Sequence, residues 1–107
     1  MVKYIEIEKS GQIYCSDCEQ GWIKKFFLKK IKKDIFVCDE CESLWFSLKG
    51  IILEQSDFFT GYLKRKGYIT TEGFDDWDSI LEDGDYVNFD EIKDFVEKHK
   101  IKVVVLE

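Results

Sequence analysis

The first half of the chain alternates apolar and polar residues in short runs, a pattern typical of β-strands. Residues 2–8 largely alternate and are rich in β-branched side chains, so they predict a strand. Residues 22–28 and 34–37 predict an outgoing and a returning strand, because the segment between them is polar and rich in lysine. Residues 12–14 predict a short strand that leads to Cys15, the first cysteine. Residues 44–46 are expected to pair beside that strand, and residues 50–53 to continue the sheet.

The second half of the chain changes to helical spacing. One predicted helix has Ser56 as its N-cap and Gly67 as its stop, because serine caps helices and glycine adopts the left-handed conformation that ends them. Its apolar residues share one helical face: Phe58, Phe59, Tyr62 and Leu63. A second helical repeat, ending near Gly84, is formed by four apolar residues: Phe74, Trp77, Ile80 and Leu81.

The most complete helix signal lies near the C-terminus. Asn88 is the predicted N-cap and Glu91 stands at the third helical position, an arrangement that resembles a capping box. Val87 and Ile92 occupy the positions of a hydrophobic staple across the same cap. Residues 101–106 follow as a closing strand, and their three consecutive valines predict burial on both faces. Strands first, then helices, then a final strand together predict an α+β fold.

Two pairs of cysteines supply the clearest chemistry in the sequence. They are Cys15, Cys18, Cys38 and Cys41. Two intervening residues in each pair let both sulfurs of a tight turn face one ion, and the chain between the pairs is long enough for two strands that bring the turns together. This spacing predicts one structural, tetrahedral zinc ion in a zinc ribbon. Because protein sulfurs would fill all four positions, no position remains for a catalytic water.

Other interpretations of the cysteines explain less. Iron bound as in rubredoxin is an alternative, because sulfur ligands also suit iron, but the proline and glycine usual in rubredoxin turns are missing. A thioredoxin-like redox site needs only one C-x2-C pair and leaves the second pair unexplained. Four unligated thiols would not account for the identical spacing of the two pairs.

Length and charge suggest how the chain is divided. At 107 residues it is short enough for a structural metal to supply much of its stability. The net charge of −6 is uneven, because residues 1–50 carry 9 Lys and 8 acidic residues whereas residues 51–107 carry 7 Lys or Arg and 14 acidic residues. We therefore expect a zinc ribbon over residues 1–50 and an acidic α/β lobe over residues 51–107, packed together as one unit.

Targeting signals and the cysteines point to the same compartment. The sequence has no leader-like apolar segment, long hydrophobic run or lipidation signal, so we expect a cytoplasmic protein without membrane attachment. A reducing compartment favours metal-bound thiolates over disulfides.

Residues 72–85 contain seven acidic residues and no basic one. Their spacing does not follow an EF-hand calcium loop. They form either a solubilising helix face or an interface for a basic protein, and the interspersed Phe74 and Trp77 suit an interface. The predicted partner-binding residues are Asp75, Asp76, Trp77, Asp78, Glu82, Asp83 and Asp85.

A lysine cluster lies on the predicted hairpin, interleaved with Trp22, Phe26 and Phe27. Its members are Lys24, Lys25, Lys29, Lys30, Lys32 and Lys33. Lysines among aromatic residues are able to bind nucleic acid through phosphate contacts and base stacking. The alternative is a solvated hairpin whose lysines protect an edge strand from aggregation, or that contacts acidic groups of the same chain or a partner. The acidic remainder of the chain favours the alternative.

Residues 12–45 resemble the small bacterial single-zinc-ribbon proteins. The likeness rests on YCSDCEQGWIKK around the first cysteine pair and FVCDECESLW around the second. Similar proteins are associated with toxin–immunity systems, in which an acidic chain neutralises a toxic domain. The resemblance implies metal binding by the four cysteines and assigns no partner contacts.

These observations predict a protein that is not an enzyme. His99 is the only histidine and is expected at the surface, and the sequence has neither a Gly-rich phosphate loop nor a G-x-S-x-G motif. We expect a zinc-ribbon protein that binds a basic protein partner, specifically an immunity protein against a bacterial toxin domain. The alternative is a nucleic-acid-binding zinc ribbon that uses the lysine hairpin.

Overall fold

Seven strands and four short helices form the chain in the computed structural model, which describes residues 2–69 and 77–106 apart from the side chain of Asp78. The strands are β1 Tyr4–Glu8, β2 Ile23–Leu28, β3 Lys33–Cys38, β4 Ser43–Trp45, β5 Asp57–Phe58, β6 Leu81–Tyr86 and β7 Lys102–Leu106. The helices are α1 Leu48–Leu53, α2 Phe59–Arg65, α3 Trp77–Ile80 and α4 Lys93–Lys98, with a 3₁₀ turn, Phe89–Glu91, before α4. This mixture confirms the predicted α+β class. In the ranges described, no helix has the length and apolar character needed to cross a membrane.

The main sheet has five strands in the order β5-β4-β3-β2-β6, and all neighbours are antiparallel. The predicted outgoing and returning strands lie at its centre as β2 and β3, in a register that pairs Ile23 with Cys38. A second sheet consists of β1 and β7, which run parallel with Ile5 beside Val103. Within the described residues, β6 is therefore an edge of the main sheet and β7 an edge of the smaller one.

Apolar side chains cover both faces of the main sheet, because successive residues of a strand point to opposite sides. In β3, Phe36 and Cys38 belong to one hydrophobic cluster, and Ile35 and Val37 to another. The first cluster includes residues of β1, α1 and α4, and the second includes residues of α2 and α3. Each cluster draws residues from both sides of position 50. The division into units 1–50 and 51–107 stays a prediction.

Two predictions for the middle of the chain are wrong. Residues 50–53 belong to α1 and not to the sheet, because Ser47 caps this helix by accepting a hydrogen bond from the Gly50 N–H at 2.8 Å. Residues 44–46 do not pair beside the strand that precedes the first cysteine. The short turn after Cys38 instead folds β4 directly back onto β3, with Trp45 opposite Phe36.

The helix predicted from Ser56 begins later than expected. Phe58 precedes the first turn of α2, and Ser56 donates its hydroxyl hydrogen bond to Asp17 across the molecule. The predicted buried face is correct for Phe59, Tyr62 and Leu63. Phe58 is the exception, since 52% of it is exposed.

The helix predicted to end near Gly84 stops at Ile80, and residues 81–86 form β6. These residues form a strand and not a helix because they pair with β2, whose edge would otherwise lack hydrogen-bond partners. Gly84 permits this pairing, since a Cβ atom there would lie 2.9 Å from the backbone oxygen of Lys25.

The C-terminal predictions have mixed outcomes. The capping box is confirmed: Asn88 accepts from the Asp90 N–H, and Glu91 accepts from the Asn88 N–H, both at 3.0 Å. The closing strand is confirmed as β7, but its valines are not buried on both faces, because β7 lies at a sheet edge and Val105 is 55% exposed. His99 is half-buried, and its Nε2 atom is buried without a hydrogen-bond partner among the described residues.

Candidate metal centre

The segment Trp22–Ile23 brings the two cysteine pairs together. On one side, the Cys15 N–H donates to the Gly21 carbonyl at 2.8 Å, and Tyr14 bridges to Trp22. On the other side, the Asp39 N–H donates to the Trp22 carbonyl at 3.0 Å, and Ile23 pairs with Cys38. One stretch of backbone is therefore hydrogen-bonded to both cysteine turns. We call residues 15–18 the first cysteine turn and residues 38–41 the second cysteine turn.

The four cysteine sulfurs converge on one point. All four Sγ atoms lie within 4.8 Å of one another, and the Cys15–Cys41 and Cys18–Cys38 separations are both 3.6 Å. With zinc–sulfur bonds of about 2.3 Å, the sulfurs of a tetrahedral site would be about 3.8 Å apart. A disulfide would place two sulfurs at about 2.05 Å, so no pair of these thiols is covalently bonded. The arrangement fits one tetrahedral metal ion.

Backbone N–H groups point at the sulfurs of both turns. The Asp17 N–H donates to Cys15 Sγ at 3.3 Å, and the N–H groups of Glu40 and Cys41 donate to Cys38 Sγ at 3.4 Å. Such donors stabilise the negative charge of a thiolate and fix the direction of its sulfur. The local backbone of each turn is thus suited to a deprotonated, metal-binding cysteine.

Burial and hydrogen bonding shift the thiol pKa values in different directions. Burial raises the pKa of Cys15, and it raises the pKa of Cys38 to about 11. Burial acts in the same direction on Cys18, but N–H groups of Gln20 and Gly21 and hydrogen bonds with the Cys38 and Cys41 sulfurs outweigh it, so the pKa of Cys18 falls to about 7. Buried thiols with raised pKa values carry protons at neutral pH, and a bound metal displaces them.

Gly21 is packed directly against the second cysteine turn. A Cβ atom at this position would lie 2.5 Å from Cys38 Sγ, 2.7 Å from Asp39 Oδ1 and 2.8 Å from Glu40 Cβ. No other residue type fits there without displacing a metal ligand. The place of Gly21, three residues after Cys18 in the first cysteine motif, is the sequence signal for this role.

Two carboxylates of the cysteine turns connect the site to the rest of the chain. Asp17 accepts hydrogen bonds from the Ser43 hydroxyl at 2.7 Å and from Ser56. Asp39 accepts hydrogen bonds from the backbone N–H of Trp22 at 2.9 Å and from the Tyr86 hydroxyl at 3.0 Å. The first turn is thereby tied to β4 and to the chain before β5. The second turn is tied to the end of β6.

The four sulfur ligands identify a structural metal site, but they are compatible with two metals. Four thiolates with no other ligand leave no coordination position for water, which is the pattern of a structural site. Zinc and iron both accept four sulfur ligands in this geometry. The prediction that Cys15, Cys18, Cys38 and Cys41 come together around one metal ion agrees with this cluster.

The lysine cluster is partly engaged within the chain. Lys24 lies 4.0 Å from Asp83 of β6, and Lys25 donates to Glu91 at 3.2 Å. Both ion pairs join β2 to acidic residues of the second half, an intramolecular contact that was one of the expectations for this cluster. The other four lysines are exposed on and beside the turn between β2 and β3: Lys29, Lys30, Lys32 and Lys33.

The predicted partner-binding residues are brought together only in part. Glu82, Asp83 and Asp85 are exposed on β6, and Trp77 of α3 is 42% exposed. The remaining ones lie outside the described residues: Asp75, Asp76 and the side chain of Asp78. Tyr86, 38% exposed at the end of β6, was missed, because its neighbourhood depends on the strand pairing that the helix prediction lacked.

Comparisons with models of protein families, with characterised proteins and with solved structures all gave no match. The likeness of residues 12–45 to single-zinc-ribbon proteins is supported as far as the four-cysteine cluster. Neither a family nor a link to toxin immunity follows from it.

Proposed function

We propose that the chain is a non-enzymatic zinc-ribbon protein that binds a basic protein partner. The observation that carries this proposal is β6, an edge strand of the main sheet with exposed acidic side chains at Glu82, Asp83 and Asp85. Trp77 precedes β6 along the chain and Tyr86 is its last residue, and both are partly exposed aromatic residues. Carboxylates beside large aromatic rings suit a protein interface, because the rings supply contact area and the charges select a basic partner.

In this proposal zinc is structural. The four sulfurs supply every ligand of a tetrahedral ion, so the metal would join the two cysteine turns and would not contact a substrate. The sheet and both hydrophobic clusters would then hold β6 in a fixed place relative to the metal. A rigid acidic edge loses less conformational freedom on binding than a flexible one.

The finer form of the proposal is an immunity protein. A toxin domain that acts on nucleic acid carries a basic surface, and an acidic chain that covers that surface would block its action. The uneven charge supports this form, because residues 51–107 carry all of the net negative charge.

A nucleic-acid-binding ribbon is the second candidate. Lys30, Lys32 and Lys33 are exposed near the tip of the hairpin, which supports it. The ion pairs of Lys24 and Lys25 with acidic residues weaken it, because those lysines would have to exchange partners to reach phosphates. A ribbon that binds nucleic acid should bind at about 50 mM salt and lose affinity steeply as salt increases.

The test is co-expression with a toxin domain encoded beside this gene, followed by co-purification and growth rescue. Wild type should form the complex. The triple variant Glu82→Gln/Asp83→Asn/Asp85→Asn should lose it. A matched triple variant with the same charge change elsewhere, Glu54→Gln/Asp94→Asn/Glu97→Gln, should retain it, because these acids are exposed outside β6. Equal loss in both variants, or rescue by neither wild type nor control, would contradict the proposal.

A further inference from the structure

A cavity of about 250 Å³ lies between β1 and the first cysteine turn. We call it the β1 cavity. Four aliphatic residues are among those that line it: Val2, Ile5, Ile13 and Ile51. Sites for drug-sized molecules are usually larger, about 300–1,000 Å³. The β1 cavity therefore suits a single long side chain better than a cofactor or a metabolite.

The polar lining of the β1 cavity is mostly negative. Glu6, Asp17 and Glu19 contribute three carboxylates, against the one ammonium group of Lys3. The Tyr4 hydroxyl, also in the lining, donates a hydrogen bond to Glu19. Asp17 already accepts hydrogen bonds from two serines, so Glu6 and Glu19 have the greater free capacity to accept. A ligand for this lining must bring a positive charge and hydrogen-bond donors.

From this lining we infer that the β1 cavity binds the side chain of one arginine from a protein partner. The aliphatic stem of the arginine covers the small exposed parts of Ile5, Ile13 and Ile51, which are otherwise buried, and its guanidinium group faces Glu6 and Glu19. Arginine fits better than lysine for two physical reasons. Its planar group offers five N–H donors to carboxylates and stacks on aromatic rings such as Tyr4, and it is more weakly hydrated than an ammonium group.

The β1 cavity is connected to β6 by a row of aromatic rings. Tyr14 of the cavity lies 6.2 Å from Trp22, and Trp22 lies 5.5 Å from Tyr86 of β6, measured between ring centroids. Trp22 thus lies between a residue of the cavity lining and a residue of β6, and in this proposal one basic partner contacts both surfaces. The part of this inference in which a protein partner supplies the arginine rests on the proposed function. The chemistry of the cavity is testable without the partner.

The test is a titration of the zinc-loaded protein, labelled at isoleucine δ1 methyl groups, with N-acetyl-arginine methylamide. Saturable NMR shifts are expected for Ile5, Ile13 and Ile51, with a dissociation constant of about 1 mM for so small a probe. Ile35 and Ile80 serve as internal controls, because they belong to the other hydrophobic cluster. N-acetyl-citrulline methylamide, the neutral isostere, should bind about tenfold more weakly.

A variant pair isolates the charge. Glu6→Gln should weaken binding of the arginine probe by about fivefold, as for the loss of one partly exposed ion pair. Glu82→Gln, the same change on β6, should leave it unchanged. Absence of methyl shifts in the cavity, equal binding of citrulline, or equal affinity of both variants would overturn the inference. Probe binding without a toxin complex would contradict only the proposed function, and a toxin complex unaffected by Glu6→Gln would contradict only the cavity.

Discussion

Gly21→Ala should damage the metal site although it changes no metal ligand. The added methyl group would lie 2.5 Å from Cys38 Sγ, where a carbon–sulfur contact normally needs more than an ångström of additional space. The other two close atoms, in Asp39 and Glu40, belong to the same turn, so the whole second cysteine turn must shift. A metal-bound sulfur cannot shift without lengthening its bond or distorting the tetrahedron.

The magnitude follows from the cost of overpacking. Inserting a methyl group into a closely packed region costs about 1–3 kcal/mol. If the metal-free chain relaxes and the metal-bound chain cannot, the whole cost falls on metal binding, which corresponds to a loss of affinity of roughly 5- to 150-fold. Measured zinc-binding energies of small structural sites are about 10–16 kcal/mol. The variant should therefore still bind zinc, but more weakly than wild type.

The assay is competition for zinc with a chromophoric chelator at neutral pH. Gly61→Ala is the matched control: it makes the same chemical change in α2, where the nearest atom is Cδ2 of the Phe58 ring at 3.1 Å. Phe58 is 52% exposed, so its ring has solvent space into which it can shift, and alanine favours a helix over glycine by about 1 kcal/mol. The control should bind zinc like wild type and unfold at equal or higher urea. A Gly21→Ala affinity within twofold of wild type would refute the reasoning.

Three further predictions test other parts of the account. Burial raises the pKa of Cys38 to about 11 and also raises that of Cys15, so metal binding must displace at least two protons. The apparent zinc affinity in the chelator assay should therefore fall by about a hundredfold per pH unit below neutrality, and a pH-independent affinity would contradict this. Tyr86→Phe removes the hydrogen bond to Asp39 and should lower the free energy of unfolding by about 1 kcal/mol, measured in urea with zinc bound. A loss of zinc-binding free energy larger than this loss of stability would show that Tyr86 has a different role. Ile23→Ala empties a fully buried site between the two cysteine turns and should cost about 2–5 kcal/mol in the same urea measurement, whereas a cost below 1 kcal/mol would contradict the packing.

The parts of the fold that were predictable have local causes. The cysteine spacing fixes two tight turns, and the polar segment between two apolar runs fixes the hairpin of β2 and β3. The capping box at Asn88 and Glu91 likewise needs only neighbouring residues. In these places the side chains that decide the structure stand within a few positions of one another.

The parts that were not predictable depend on distant residues. Residues 81–86 have helical spacing with the apolar residues before them, and only the open edge of β2 makes them a strand. Residues 50–53 are short and apolar, a pattern that does not separate strand from helix, and the cap at Ser47 decides the outcome. The valines of β7 lie at the edge of a two-stranded sheet, which a run of apolar residues cannot indicate.

The metal site also combines features with local causes and features that depend on distant residues. The four ligands follow from their spacing, but the role of Gly21 and the hydrogen bonds of Asp17 and Asp39 follow from contacts across the fold. The β1 cavity joins β1, the first cysteine turn and Ile51, which are separated along the chain. No local pattern brings these residues together.

X-ray absorption at the zinc edge, on protein purified without added metal, tests the central claim most directly. The claim, as proposed above, is that one zinc ion, bound only by Cys15, Cys18, Cys38 and Cys41, joins the two cysteine turns. The predicted result is one zinc per chain with four sulfur ligands at about 2.3 Å. Absence of zinc, or a coordination shell with fewer than four sulfurs and an added oxygen or nitrogen, would contradict it.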